Sequence, residues 1–252
     1  MKKLDKYLPI IKRKIPGYRF SWEIFTDIIL ENVARKPYWL DIGAGPNYLI
    51  SEQAGSALAV GLDLEKPSKL ELKCDEHYCL ASAEQLSFKD DSFDFITSRY
   101  TFEHLPNPQI ALHEIERVLK PGGIAAIQTT NVRNPLLMIS RLIPFTIKKR
   151  IFKTLFKEIP SGTFKTFYRI NKPGSFPENS GMLELRRLIF AEDMICQNGL
   201  TFAVSFSLLR LIEAFHLDRL KGNMIAIYAK ISESQGVRKK TVGNEFPTAP
   251  II

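Results

Sequence analysis

The 252-residue sequence predicts an α/β protein: a seven-stranded, mostly parallel sheet with helices on both faces and a helical insertion after the fifth strand. Three observations predict it. Short apolar runs alternate with helical patterns through the middle of the chain. The runs are apolar at consecutive positions, as in strands covered on both faces. The first run also ends directly in glycine-rich sequence, a strand-to-helix turn.

Taken in order, Tyr38–Ile42 (YWLDI) is the first strand, and Tyr48–Ala54 reads as a helix stopped by Gly55. Leu58–Leu64, Tyr78–Ser82 and Phe93–Ser98 are the next three strands. Gln109–Leu119 places Ala111, Leu112, Ile115, Val118 and Leu119 on one helical face, and Pro121-Gly122-Gly123 ends it. Ile124–Thr130 is the fifth strand. After Asn131 the rhythm breaks, and residues 131–180 carry prolines, aromatics and basic groups without alternation. It resumes with a helix over Ala191–Asn198 stopped by Gly199, a strand over Leu200–Ser205 and a last strand over Met224–Ile231. The expected organisation is a basic helical segment at 1–36, one domain at 37–231 with a substrate-side insertion at 131–187, and a disordered polar tail at 232–252.

The composition, 45% hydrophobic and 25% charged, excludes disordered, collagen-like and disulfide-scaffold classes. No apolar run reaches the roughly 18 residues that a membrane span needs. The start, MKKLDKYLPIIKRK, lacks the apolar stretch and cleavage site of a signal peptide. Cys74, Cys79 and Cys196 are odd in number and fit no zinc spacing, so a reducing cytoplasm is expected. The net charge of +8 is uneven. Residues 1–36 hold nine basic and four acidic side chains, and residues 131–190 hold twelve and three, so the remainder is net acidic. The two basic pieces point to an anionic partner: a membrane surface, a phosphate-bearing substrate or a nucleic acid.

Chemistry concentrates at Trp39-Leu40-Asp41-Ile42-Gly43-Ala44-Gly45-Pro46-Asn47. Glycines there let the backbone turn tightly and approach a ligand that a Cβ would exclude. Asp63, at the end of the next strand, can accept hydrogen bonds from both hydroxyls of a ribose, which points to an adenosine-containing ligand. A dinucleotide site wants a third glycine where Pro46-Asn47 stands, and Asp41 would repel a diphosphate. A cationic sulfonium with an amino-acid tail would be helped by that carboxylate.

WLDIGAGPN, the strand end at Asp63, ASAEQLSFKDDSFDFITS and ERVLKPGG, in this order and spacing, resemble the motifs of class I S-adenosylmethionine-dependent methyltransferases. The resemblance covers about residues 36–130 and is nearest to the bacterial small-molecule group that includes ubiquinone and menaquinone biosynthesis enzymes. It implies a Rossmann-like fold with S-adenosylmethionine as cofactor. Asp41, Gly43, Ala44 and Gly45 would cradle the methionine part, Asp63 and Leu64 the ribose, and Ser82, Ala83, Glu84 and Leu86 the adenine, with Arg99 at the end of the fourth strand. Ser82 stands where the family usually has aspartate, and Asn47 where it often has glycine.

The stretch Arg99-Tyr100-Thr101-Phe102-Glu103-His104 lies where carboxyl ends of strands face substrate. Some relatives bind a divalent metal through Glu-x-x-Glu-His here; Tyr100 takes the first acidic position, so no metal is expected. His104 and Glu103 are the catalytic candidates, His104 as base for a hydroxyl nucleophile. The alternative is that both only cap the following loop. Tyr100, Tyr168 and Arg169 are the substrate-pocket candidates. Pro144–Ile159 (PFTIKKRIFKTLFKEI) reads as a basic amphipathic helix, either a lid over the site or a contact with an anionic membrane.

The expected activity is methyl transfer to a small-molecule or lipid-linked acceptor, preferably at oxygen. A non-catalytic scaffold of the same fold is the alternative. Nucleic-acid methylation is disfavoured because Ser98-Arg99-Tyr100-Thr101 lacks the Asn/Asp-Pro-Pro-aromatic motif and no RNA-binding module is attached.

Overall fold

The structure is a computed structural model that describes residues 2–35, 38–46, 49–50, 58–66, 78–142, 165–196 and 198–231. Its strands are β1 (Tyr38–Ile42), β2 (Leu58–Asp63), β3 (Tyr78–Leu80), β4 (Phe93–Arg99), β5 (Leu119–Thr130), β6 (Asn179–Ser180), β7 (Leu183–Ala191) and β8 (Asn223–Lys230). They form one sheet in the order β3-β2-β1-β4-β5-β8-β7-β6. The first five run parallel, and β8 is antiparallel between β5 and β7. The chain steps from β1 outward to β3 and then returns to the other side of β1 with β4. That reversal opens a crevice at the carboxyl ends of β1 and β4, where α/β sheets bind ligands.

The helices are α1 (Lys2–Asp5), α2 (Leu8–Lys14), α3 (Ser21–Val33), α4 (Pro108–Val118), α5 (Pro135–Leu142) and α6 (Gly199–Ala214). On one face of the sheet, Ala111, Leu112, Ile115 and Val118 of α4 pack on Leu40, Ile42, Ile96 and Ile127, the helical face expected from their spacing. On the other, Phe25, Ile28 and Ile29 of α3 cover Trp39, Phe95 and Ile225. Each such side chain contributes about 1.5–3 kcal/mol on burial. A third cluster joins Tyr7 and Ile11 of the N-terminal segment to Phe202 and Leu209 of α6. At the amino end of the sheet, Lys230 is buried, its Nζ donating to the Leu119 carbonyl and to Asp91, each at 2.7 Å.

Three sequence expectations are corrected. Ala191–Asn198 is not a helix, and Leu200–Ser205 is not a strand: Ala191 ends β7, and α6 begins at Gly199. Capping decides it. The Asn198 side chain accepts from the Thr201 amide at 2.9 Å, and Thr201 Oγ1 accepts from the Asn198 amide at 3.1 Å, so Gly199 starts a helix instead of ending one. Second, the sheet has eight strands, because residues 179–180 and 183–191 add β6 and β7. Third, Pro121-Gly122-Gly123 lies inside β5: its pairing with β4 jumps from Phe93–Leu119 to Phe95–Ile124, a bulge with Gly122 at φ +76°.

The rest of the expected Tyr48–Ala54 helix beyond Leu49 and Ile50, the basic Pro144–Ile159 helix, Asn47 and the 232–252 tail lie outside the described residues. Among the described residues, no helix is long and apolar enough to cross a membrane.

The cap makes a direct prediction. Asn198→Ala should lower the unfolding free energy by about 1 kcal/mol in urea titration. Unchanged stability would mean that this side chain does not anchor α6.

Candidate active site

At the crevice, Gly43 and Gly45 have φ of +75° and +51°, the left-handed region that glycine enters without strain. A Cβ on Gly43 would lie 1.8 Å from Thr101 Oγ1, so the turn is pressed against the loop after β4. Beside Gly45 a Cβ would meet nothing within 4 Å, leaving open space on the ligand side. The amides of Gly43 and Ala44 both donate to the Leu62 carbonyl, at 2.7 and 3.0 Å. Asp63 Oδ2 accepts from the Gly45 amide at 2.9 Å and Oδ1 from the Leu64 amide at 2.7 Å. Tyr78 Oη donates to the Gly45 carbonyl at 2.9 Å, a clasp that sequence reasoning missed because a tyrosine opening a short strand carries no distinctive pattern. The side chain of Leu64 is exposed beside Asp63.

Beneath the turn, Asp41 is 2% exposed. Its Oδ1 accepts from Thr97 Oγ1 at 2.6 Å, and Thr97 accepts from the Trp39 indole at 2.8 Å. Burial raises the Asp41 carboxyl from its ordinary 3.8 to about 7, against the lowering pull of the Thr97 hydroxyl and the Arg99 charge. Ser82 Oγ accepts from the Glu84 amide at 3.1 Å, and Ala83 is buried. The Glu84 carboxylate turns to the start of α4 and accepts from the Asn107 amide at 2.7 Å.

The remaining candidates lie after β4. Tyr100 is held at φ +57°, unfavourable for a side chain of its size. Its hydroxyl donates to Asn223 Oδ1 and accepts from Gln128 Nε2, both at 3.0 Å. Nearby, Asp193 Oδ1 accepts from the Ser21 amide at 2.8 Å, which ties the start of α3 to the loop after β7. Ser21, Gln128, Asp193 and Asn223 escaped the sequence reading because they are scattered over two hundred residues and meet only in the fold. Glu103 is buried, and its carboxylate accepts from Thr129 Oγ1 at 2.6 Å; Asn171 Nδ2 donates to Thr129 in turn, also at 2.6 Å. Desolvation raises the Glu103 carboxyl. The Glu103 carbonyl accepts from the amides of Phe167 (2.7 Å) and Tyr168 (3.2 Å), so this residue pins the 165–171 strap over the end of β5. Half-buried His104 places Nδ1 3.1 Å from the Lys165 carbonyl of that strap. Tyr168 is half-buried at φ +52°, and Arg169 is exposed.

Comparison with known proteins fits this geometry. The methyltransferase-domain family matches residues 40–127, which run from β1 into β5. A ubiquinone biosynthesis O-methyltransferase of Pseudomonas entomophila is 30% identical over 161 residues, 60% of this chain and 66% of that one. Another from Alkalilimnicola ehrlichii is 33% identical over 105 residues, 38% of this chain and 42% of that one. Residues 40–127 are therefore a methyltransferase domain of the S-adenosylmethionine-dependent kind. The chain spans less than two thirds of the length of either relative. The crystal structure of the [4+2]-cyclase SpnF, 15% identical with a TM-score of 0.51 over 82% of this chain and 80% of that one, shares the fold.

The crevice suits the methyltransferase cofactor. Gly43 and Gly45 keep the turn free of side chains, and a Cβ at Gly45 would point into open space. Asp41 is a buried carboxylate whose side-chain hydrogen bond among the described residues comes from a neutral hydroxyl, so a cationic ligand beside it would be stabilised.

The raised Asp41 carboxyl sets the sign of a pH dependence. Its folded-state value lies above the ordinary one, so its contribution to stability is full below about 3.8 and is lost as pH rises through about 7. Asp41→Asn should therefore become more stable relative to wild type across that window, on the order of 4 kcal/mol. Parallel pH profiles in denaturant titrations would contradict the burial argument.

Proposed function

We propose that this protein transfers the methyl group of S-adenosylmethionine to an oxygen of a small-molecule or lipid-linked acceptor. The observation that carries the reading is the Gly43–Gly45 turn, fastened to Asp63 and Tyr78 above the buried Asp41. Asp41, Gly43, Ala44 and Gly45 would hold the methionine end. Asp63 and Leu64 would hold the ribose, with Ser82, Ala83 and Glu84 bordering the base and Arg99 beside Asp41. Bound there, the cofactor supplies a methyl on a cationic sulfur: the acceptor oxygen forms the new C–O bond, and the C–S electrons return to sulfur.

The acceptor hydroxyl must also give up its proton, and in this reading His104 would take it. The Lys165 carbonyl facing Nδ1 can only accept, so in the neutral ring Nδ1 carries the hydrogen and Nε2 is the basic nitrogen. Glu103 acts at one remove, by fixing the strap that orients His104. Oxygen as the accepting atom, and a hydrophobic or lipid-linked acceptor, draw support from the names of the relatives, which are O-methyltransferases of ubiquinone biosynthesis.

Calorimetric titration tests the cofactor site. Wild type should bind S-adenosylmethionine and S-adenosylhomocysteine, and Asp63→Ala should bind both roughly a hundredfold more weakly. No binding by wild type would overturn the reading and favour a scaffold of the same fold. With an acceptor in hand, His104→Gln should lower kcat on the order of a hundredfold or more while leaving cofactor affinity unchanged. An undiminished kcat would remove His104 from the proton transfer.

A further inference from the structure

Past the end of β7, the chain runs as Glu192-Asp193 along a cavity of about 370 Å³. Leu136 and Leu137 of α5, with Ile195, give it an apolar wall, and Tyr100 places it against the loop after β4. Glu192 is 8% exposed. Its Oε2 accepts from Asn134 Nδ2 at 2.9 Å and from the Gly222 amide at 2.8 Å. Neither of these bonds uses Oε1. Gly222 explains why that oxygen has room. Its φ is not in the left-handed region, so the backbone does not require glycine there. A Cβ at 222 would stand 2.8 Å from Glu192 Oε1, so the missing side chain keeps the space open.

The described lining of the cavity includes Glu192 and Asp193 and no lysine or arginine. Neighbouring Lys221 gives its ammonium to Glu213 and Asp218, at 2.8 and 2.7 Å. A carboxylate oxygen at the edge of such a cavity favours a ligand that brings it a hydrogen-bond donor or a positive charge. A second carboxylate beside it makes a ligand anion costly as well.

We propose that this cavity seats the head of the methyl acceptor, which donates an ammonium hydrogen bond to Glu192 Oε1 and lays an apolar flank on Leu136, Leu137 and Ile195, and that a carboxylate at that position is rejected. The assignment rests on the methyltransferase reading and deepens it by naming the acceptor's chemistry. Surface charge acts on the approach, whereas the buried groups act on the bound head.

Three probes of one shape test it: tyramine, para-propylphenol and para-hydroxyphenylpropionate, which end in an ammonium, a methyl and a carboxylate. Each is titrated by ligand-observed NMR into the full chain with S-adenosylhomocysteine present, and binding of that nucleoside is measured separately. The carboxylate probe should bind at least ~10-fold more weakly than tyramine. Glu192→Gln keeps an oxygen for Asn134 and Gly222 but turns a donor into the cavity, so it should weaken tyramine and tighten the carboxylate probe. Gly222→Ala, which pushes on Oε1, should weaken tyramine without changing nucleoside affinity. Equal binding of the probes, binding of none, or an unchanged order in Glu192→Gln overturns the assignment. If the nucleoside binds and the order is absent, the cavity assignment fails alone. If the order holds and the nucleoside does not bind, the methyltransferase reading fails and the cavity remains a site for donor-bearing ligands.

Discussion

Among the described residues three carboxylates are buried along the carboxyl end of the sheet: Asp41 within β1, Glu103 after β4 and Glu192 after β7. Their hydrogen bonds come from neutral groups, namely the hydroxyls of Thr97 and Thr129, the Asn134 side chain and the Gly222 amide. Neutral donors compensate a buried charge less than an ammonium or guanidinium would, so desolvation leads in all three and their carboxyls are raised. Much of the local architecture answers this constraint. It places threonines inside β4 and β5, an asparagine at the start of α5, and a glycine before β8. It also gives one end of the molecule an affinity for ligands that bring positive charge or hydrogen-bond donors.

The parallel half of the fold was legible because burial on both faces leaves a clear mark: YWLDI, LAVGLD and FDFITS are apolar at successive positions. The α4 face was equally plain, since Ala111, Leu112, Ile115 and Val118 repeat with helical spacing. The C-terminal half misled for a physical reason. Helix α6 buries Phe202, Leu209 and Ile212 yet exposes Leu200, Val204 and Leu211, so neither face stands out by polarity. Gly199 then looked like a stop. The pair Asn198 and Thr201, one helical turn apart, was the available signal for a start. In β7 the bulge between Leu185 and Arg187 interrupts the alternation that would have betrayed a strand.

The candidate site divides in the same way. Asp41, Gly43, Gly45 and Asp63 could be read because their roles depend on neighbours close in sequence or on the next strand. Glu192, Asn134 and Gly222 could not, since no spacing along the chain announces that they touch. Glu103 shows a third case. Its position was legible, but its carboxylate points inward to Thr129 and Asn171, and only the fold reveals that it secures a strap.

The placement of β8 bears on how the molecule assembles. This strand lies between β5 and β7, with Met224, Ile225, Ala226 and Tyr228 fully buried, yet it comes almost a hundred residues after β5 in the chain. The seam of the sheet is therefore closed by the last described strand. Until it docks, β7 and β6 have nothing to pair with on the β5 side, and the ground beneath Glu192 and Gly222 does not exist. Closing so long a loop is slow compared with local helix and hairpin formation. During synthesis the five parallel strands leave the ribosome well before β8, so the crevice between β1 and β4 can take shape while the cavity beside Glu192 waits for that strand.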